Sequence, residues 1–136
     1  MTTVAAAMSA VLFVAVAGFQ AVLALGAPLG EHVLGGRYSG TLPRRMRVFS
    51  GIAALILVGA GLIVLARAGI LGWPAGANWL LAPATWVIAS FLALNTLGNR
   101  TSRSRFERTI FAPTTAALAV LCAYVALTGS DSPGPG

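Results

Sequence analysis

Four long runs of apolar residues alternate with short segments rich in glycine, proline and arginine. The first run covers about residues 4–25 and has no charged side chain. Roughly 20 apolar residues cross the hydrocarbon core of a bilayer as one helix, so this run is long enough to span. Three more follow at about 48–66, 79–98 and 105–128. The pattern predicts an all-α fold, an integral membrane four-helix bundle forming a single domain over residues 1–128. A tail at 129–136 (Gly-Ser-Asp-Ser-Pro-Gly-Pro-Gly) has nothing to bury and is expected to be disordered. A cleaved leader would need a basic start, which Met1-Thr2-Thr3 lacks, so the first run is expected to remain.

Punctuation within the runs refines the helices. Gly51, Gly59 and Gly61 read as packing notches, because small residues let helices approach closely in lipid. Trp73 and Trp79 suit an interfacial aromatic belt. Asn78 is placed to cap the third helix, and Pro83 is either a first-turn residue of that helix or a kink. Ser104 and Glu107 have capping-box spacing, so the fourth helix starts near Arg105 and contains Pro113. Thr85, Ala89 and Ala93 recur every four residues, as do Thr115, Ala119 and Ala123. These two small stripes are expected to pack together in a close antiparallel hairpin.

Composition agrees with the pattern. Hydrophobic residues make up 57% of the chain and charged residues 9%, against about 25% charged in a soluble domain. All nine basic residues are arginine, and the formal charge is +6. In a soluble domain that excess would suggest nucleic acid; beside apolar spans it reads as a topology signal and a partner for anionic lipid. No nucleic-acid partner is expected. The single cysteine, Cys122, excludes an intrachain disulfide and a CxxC motif.

Charge also orients the bundle. The segment from Gly26 to Arg47 holds five glycines, the only histidine and four arginines, and four more arginines lie at 100–108. Only Arg67 falls on the opposite side. The positive-inside rule therefore puts both basic loops in the cytoplasm and both termini outside it.

The run Phe19-Gln20, then G-A-P-L-G-E-H, G-G-R and L-P-R-R-M-R, followed later by N-R-T-S-R-S-R-F-E-R, resembles an uncharacterised family of short bacterial four-helix integral membrane proteins. The resemblance extends from Phe19 to about Pro113. It implies four membrane helices and a bacterial plasma (inner) membrane, with no activity attached. The positions it marks are Gln20, Pro28, Gly30, Glu31, Gly35, Gly36, Arg37, Pro43, Asn99, Ser102, Ser104, Glu107 and Arg108.

Little chemistry is visible. A bis-His haem site needs two histidines and a zinc site three or four clustered ligands; no cofactor or metal is expected. No span centre holds the carboxylate that proton-coupled transport uses. What remains is a polar collar at the basic end, made of Gln20, Glu31, His32, Arg37, Arg44, Asn95, Asn99 and Arg100. Glu31 and His32 read either as an acid–base pair or as solvated loop residues paired to arginine. The amides read as a site or as hydrogen bonds between helices. Glu107 has a sufficient role as a capping residue. The loop glycines either supply backbone N–H groups for an anion or merely permit turns. Within this collar, Arg37 and the Gly30–Gly36 turns are expected to select a phosphate, with Arg103 a bystander. Three functions fit: an accessory or lipid-associated membrane component, a small transporter or channel, and an enzyme acting on a phosphate-bearing lipid. The expected partners are membrane lipids with anionic headgroups, and a larger membrane complex or a second copy of the chain.

Overall fold

The computed structural model describes residues 1–130. Four helices dominate: α1 (Thr2–Ala24), α2 (Arg44–Arg67), α3 (Leu81–Arg100) and α4 (Ala112–Thr128). With their flanking turns, all four segments are long and apolar enough to cross a membrane. Residues 131–136, most of the segment expected to be disordered, lie outside the described residues; Gly129 still donates its N–H to Val125 O at 2.8 Å.

Helix ends show how the chain is threaded. Arg47, at the start of α2, donates from Nε to Ala24 O at the end of α1, 3.0 Å away. Arg67, at the end of α2, donates from Nη2 to Ala126 O at the end of α4, 3.1 Å away. A helix C-terminus exposes carbonyls without intrahelical partners and the negative end of the dipole, which a guanidinium satisfies. Thr2 Oγ1 and Thr128 Oγ1 meet at 2.8 Å. The loops at 25–43 and 101–106 thus share one end of the bundle, and Thr2 and Thr128 share the other with the 68–80 connection. Helices α1 and α2 pack as one close pair and α3 and α4 as another, with α1 against α4; the α2–α3 seam is looser.

Large aliphatic side chains face outwards, among them Val11, Leu55, Val87 and Val120, each about two-thirds exposed or more. Inside lie Ala6, Ser9, Phe13, Val64, Thr85, Leu118 and Cys122. Three buried hydroxyls bond back along their own helices: Ser9 to Ala5 O, Thr85 to Leu81 O, Thr115 to Phe111 O.

Several local expectations need correction. Asn78 does not cap α3; it sits inside a 3-10 turn, Ala75–Leu80, that leads into the helix with no side-chain cap. Pro83 is the third residue of α3 and lies in its first turn, where a missing N–H costs nothing. The small stripe on α3 runs out at Ala93, which is exposed. Its buried line is Leu81, Thr85, Ala89 and Leu92, because a spacing of four drifts about 40° per step around a 3.6-residue helix. Its polar continuation is Thr96, whose Oγ1 donates to Thr115 Oγ1 on α4 at 2.9 Å. On α4 the buried line is Ala112, Thr115, Leu118, Cys122 and Val125, with Ala119 and Ala123 half-buried beside it.

Ahead of α4, residues Glu107–Phe111 form a π-helical turn, and Ala112 donates its N–H back five residues to Glu107 O. Pro113 follows at once. A proline ring collides with the carbonyl four residues earlier in a regular α-helix, and the wider π turn removes that collision.

Of the three glycines in α2, only one is a deep notch. A Cβ on Gly61 would lie 3.5 Å from Phe13 Cβ, whereas a Cβ on Gly59 would meet nothing within 4 Å. Gly61→Leu therefore overpacks the α1–α2 contact, at about 1–3 kcal/mol. Its thermal midpoint in detergent should fall by several degrees, with Gly59→Leu close to wild type. Equal midpoints would refute the packing assignment.

Candidate functional site: a latched loop and two joined cavities

Loop 25–43 is not a loose linker. It begins where α1 ends in a Schellman turn, with Gly26 N–H on Leu23 O and Ala27 N–H on Val22 O. Val33 and Leu42 are then buried with Leu23, packed against Phe19, Leu29, Tyr38, Met46 and Phe111. Gly30 crosses under the returning strand of the loop, donating to Gly40 O at 2.8 Å. A Cβ there would come within 2.6 Å of Gly40 O and 2.8 Å of Tyr38 O, so only glycine fits.

The loop is fastened from the turn ahead of α4. Glu107 Oε1 accepts the Leu34 N–H at 2.8 Å, and Oε2 accepts the Gly35 N–H at 3.2 Å. Ser102 Oγ also donates to Glu107 Oε2. Ser104 Oγ donates to His32 O at 2.8 Å and caps the Glu107 N–H at 3.4 Å. Half of the expected capping box is thus present. Its other half is not: the Ser104 N–H goes to Ser102 Oγ at 3.0 Å, which leaves the Glu107 carboxylate to reach across to the loop. Leu34 has φ +52° and Gly35 φ +70°. A non-glycine residue there costs about 1–2 kcal/mol, and the carboxylate bond to the Leu34 N–H helps to hold it.

Aromatic rings complete the junction. Phe106 stacks on Phe19 (centroids 5.6 Å apart) and meets Phe111 edge-on at 5.3 Å. His32 packs edge-on against Phe106 at 5.3 Å, while Glu31 is exposed. Six of the seven backbone donors at residues 30–36 are already occupied. Gly30, His32, Val33 and Gly36 bond within the loop, and Leu34 and Gly35 bond Glu107. The glycines therefore serve turns and close approach rather than presenting a ring of N–H groups to an anion.

Two cavities meet at this latch. The polar one, about 620 Å³, lies between the loops and is lined by Leu34–Arg37, Gly98, Asn99, Ser102, Arg103 and Glu107. The apolar one, about 550 Å³, runs down the α2–α3 seam and includes Gln20, Asn95, Asn99 and Glu107 at its polar end. Leu34, Asn99 and Glu107 belong to both.

Of the collar residues named from sequence, Arg37 and Asn99 border the polar cavity, and Gln20, Asn95 and Asn99 border the apolar one. Glu31, His32, Arg44 and Arg100 border neither. Arg103, treated above as a bystander, faces the same cavity as Arg37. The side chains of Arg37 and Arg103 are exposed and make no hydrogen bond or ion pair within the described residues. Arg108 is different: its Nη1 donates to Ser102 O at 2.7 Å and Arg103 O at 3.0 Å, which shapes the turn. Sequence reasoning marked Ser102 and Glu107 only through the resemblance and left both out of the collar. The available signal was a lone acid among four arginines at 100–108. Among the described residues no group of three or more His, Cys, Asp or Glu comes together to hold a metal.

No family model matches the chain, and no curated protein or solved structure matches it significantly.

Removing the latch should free the loop. In Glu107→Gln, one acceptor and the charge are lost, so amide exchange across residues 33–36 should accelerate at least tenfold, read by hydrogen–deuterium exchange. Glu31→Gln serves as the control and should exchange as wild type does. Unchanged exchange in Glu107→Gln would refute the latch.

Proposed function

We propose that this protein is a lipid-associated component of a bacterial plasma membrane that holds an anionic headgroup between its two arginine-bearing loops. The polar cavity carries the reading: two guanidiniums, Arg37 and Arg103, border it from different loops and have no partner among the described residues. A guanidinium grips phosphate oxygens in a planar fork. Glu107 borders the same cavity, but both its oxygens already accept hydrogen bonds from the loop or Ser102. The latch gives the cavity a fixed wall, which a diffuse cluster of surface arginines would lack.

In the membrane, the end bearing eight of nine arginines faces the cytoplasm, with both chain ends on the other side. That orientation puts the cavity at the leaflet richest in anionic lipid. Transport is the weaker reading, since no span centre carries a carboxylate and Ser9, Thr85 and Thr115 spend their hydroxyls on their own helices.

Each arginine near an anionic surface contributes about 1 kcal/mol, so losing two costs roughly 30-fold in affinity. Arg37→Gln with Arg103→Gln should therefore cut anionic phospholipid retained through purification at least tenfold, by native mass spectrometry. Arg44→Gln with Arg100→Gln carries the same charge change outside the cavity and should lose much less. Equal losses would reduce the arginines to topology signals. Orientation is tested with Cys122→Ser as background: an impermeant maleimide added outside should label Gly76→Cys, and should reach Ser39→Cys only after permeabilisation. The reverse pattern would overturn the orientation.

A further inference from the structure

We infer that the α2–α3 crevice is an acyl-chain site, so that the ligand is one whole anionic phospholipid with a chain in the crevice and its phosphate at Arg37 and Arg103. The inference rests on the headgroup reading above and extends it to the ligand's class. Three observations carry it.

The first is continuity. The apolar crevice and the polar cavity share Leu34, Asn99 and Glu107 as a common wall. An amphiphile with a charged end and an apolar end matches that sequence of environments; a free phosphate uses only half of it.

The second is depth. On α2 the lining runs from Met46 to Leu57, which at 1.5 Å per residue is about 16 Å along the axis. A bilayer's hydrocarbon core is about 30 Å thick, so the crevice is one leaflet deep and ends near the midplane. Phe49, Ile56 and Phe91 line it and are each more than half exposed. It is thus open sideways, towards neighbouring lipid.

The third is a pair of amides without partners. Gln20 and Asn95 line the crevice, and neither side chain makes a hydrogen bond within the described residues. Gln20 lies four residues before the end of α1 at Ala24, and Asn95 lies four residues, about 6 Å, deeper than Asn99, which borders the headgroup cavity. Unsatisfied amides at that depth are costly in hydrocarbon. The ester carbonyls of a glycerophospholipid lie just below its phosphate and accept N–H donors, which supplies the missing partners.

The test uses the full-length protein, delipidated in detergent, with phosphatidylglycerol of 18-carbon chains, diacylglycerol of the same chains and soluble glycerol 3-phosphate as probes. In wild type, phosphatidylglycerol should raise the thermal midpoint at concentrations at least tenfold below those at which either other probe acts. Ala53→Trp fills the crevice and should reduce retained phosphatidylglycerol at least fivefold. Leu55→Trp, on the exposed face of α2, should retain it as wild type does. Ala53→Leu, a smaller plug, gives an intermediate loss and carries the test where the tryptophan prevents folding. Glycerol 3-phosphate matching the phospholipid in wild type would overturn the acyl-chain site. So would full retention in both Ala53 variants alongside loss in the Arg37→Gln, Arg103→Gln protein, an outcome that spares the headgroup reading. Loss in the Ala53 variants with none in the arginine variant, and equal action of diacylglycerol, would overturn the headgroup reading and the anionic ligand with it. Retention unchanged in every variant overturns both.

Discussion

Glu107 receives a backbone N–H from Leu34, 73 residues away in the chain, and a second from Gly35. The same carboxylate accepts from Ser102. Hydrogen bonds to an ionised acceptor are roughly twice as strong as neutral ones, and these converge on one group. Everything at the basic end depends on that convergence. It holds loop 25–43 down over the ends of α1 and α4, and it fixes Leu34 in a left-handed conformation. It also builds the wall shared by the two cavities. Ser104 binding His32 O and the ring contacts of Phe19, Phe106 and Phe111 reinforce the same junction from the side.

The bundle below the junction follows different rules. In water, burying large apolar side chains drives helices together, but lipid tails are as apolar as leucine and give no such drive. Here many large aliphatics lie outside, and the interior mixes alanine, serine, threonine and one cysteine with larger residues such as Phe13, Leu92, Leu118 and Val125. Contact between helices then depends on how closely backbones approach, as Phe13 does over Gly61. Where that approach fails, at the α2–α3 seam, a crevice remains. The looseness of one seam and the closeness of the others have the same physical origin.

How much of this was legible in the sequence differs by feature. The helices were legible because uninterrupted apolar runs of this length have few other solutions. The start of the fourth helical segment near Arg105, ahead of the π turn, was legible from the serine–glutamate spacing, a local signal. The role of Glu107 was not, because capping and cross-loop bonding use the same residue and only the fold decides between them. Asn78 misled for a related reason: a side chain that can cap does not cap when a 3-10 turn carries the chain into the helix. The Thr85 stripe was right for two residues and then failed at Ala93, where the drift between a spacing of four and a turn of 3.6 had accumulated. Arg37 stood out by sitting among glycines. Arg103 did not, since nothing in its neighbours distinguishes it from Arg100 or Arg105.

The π turn at Glu107–Phe111 has one more consequence. One extra residue in a turn shifts the azimuth of everything before it by about 100° relative to an unbroken α-helix. The turn thus works as a phase shifter between two faces of one helix. Below it, Ala112, Thr115 and Leu118 point into the bundle; above it, Glu107 points to the loop. Neither direction can be retuned by substitution alone, because the angle between them is set by the residue count. Deleting a single residue between 107 and 111 would remove the turn, set the Pro113 ring against the carbonyl four residues before it, and swing the carboxylate away from Leu34 and Gly35. Length in that segment is as much a determinant of the site as chemistry is.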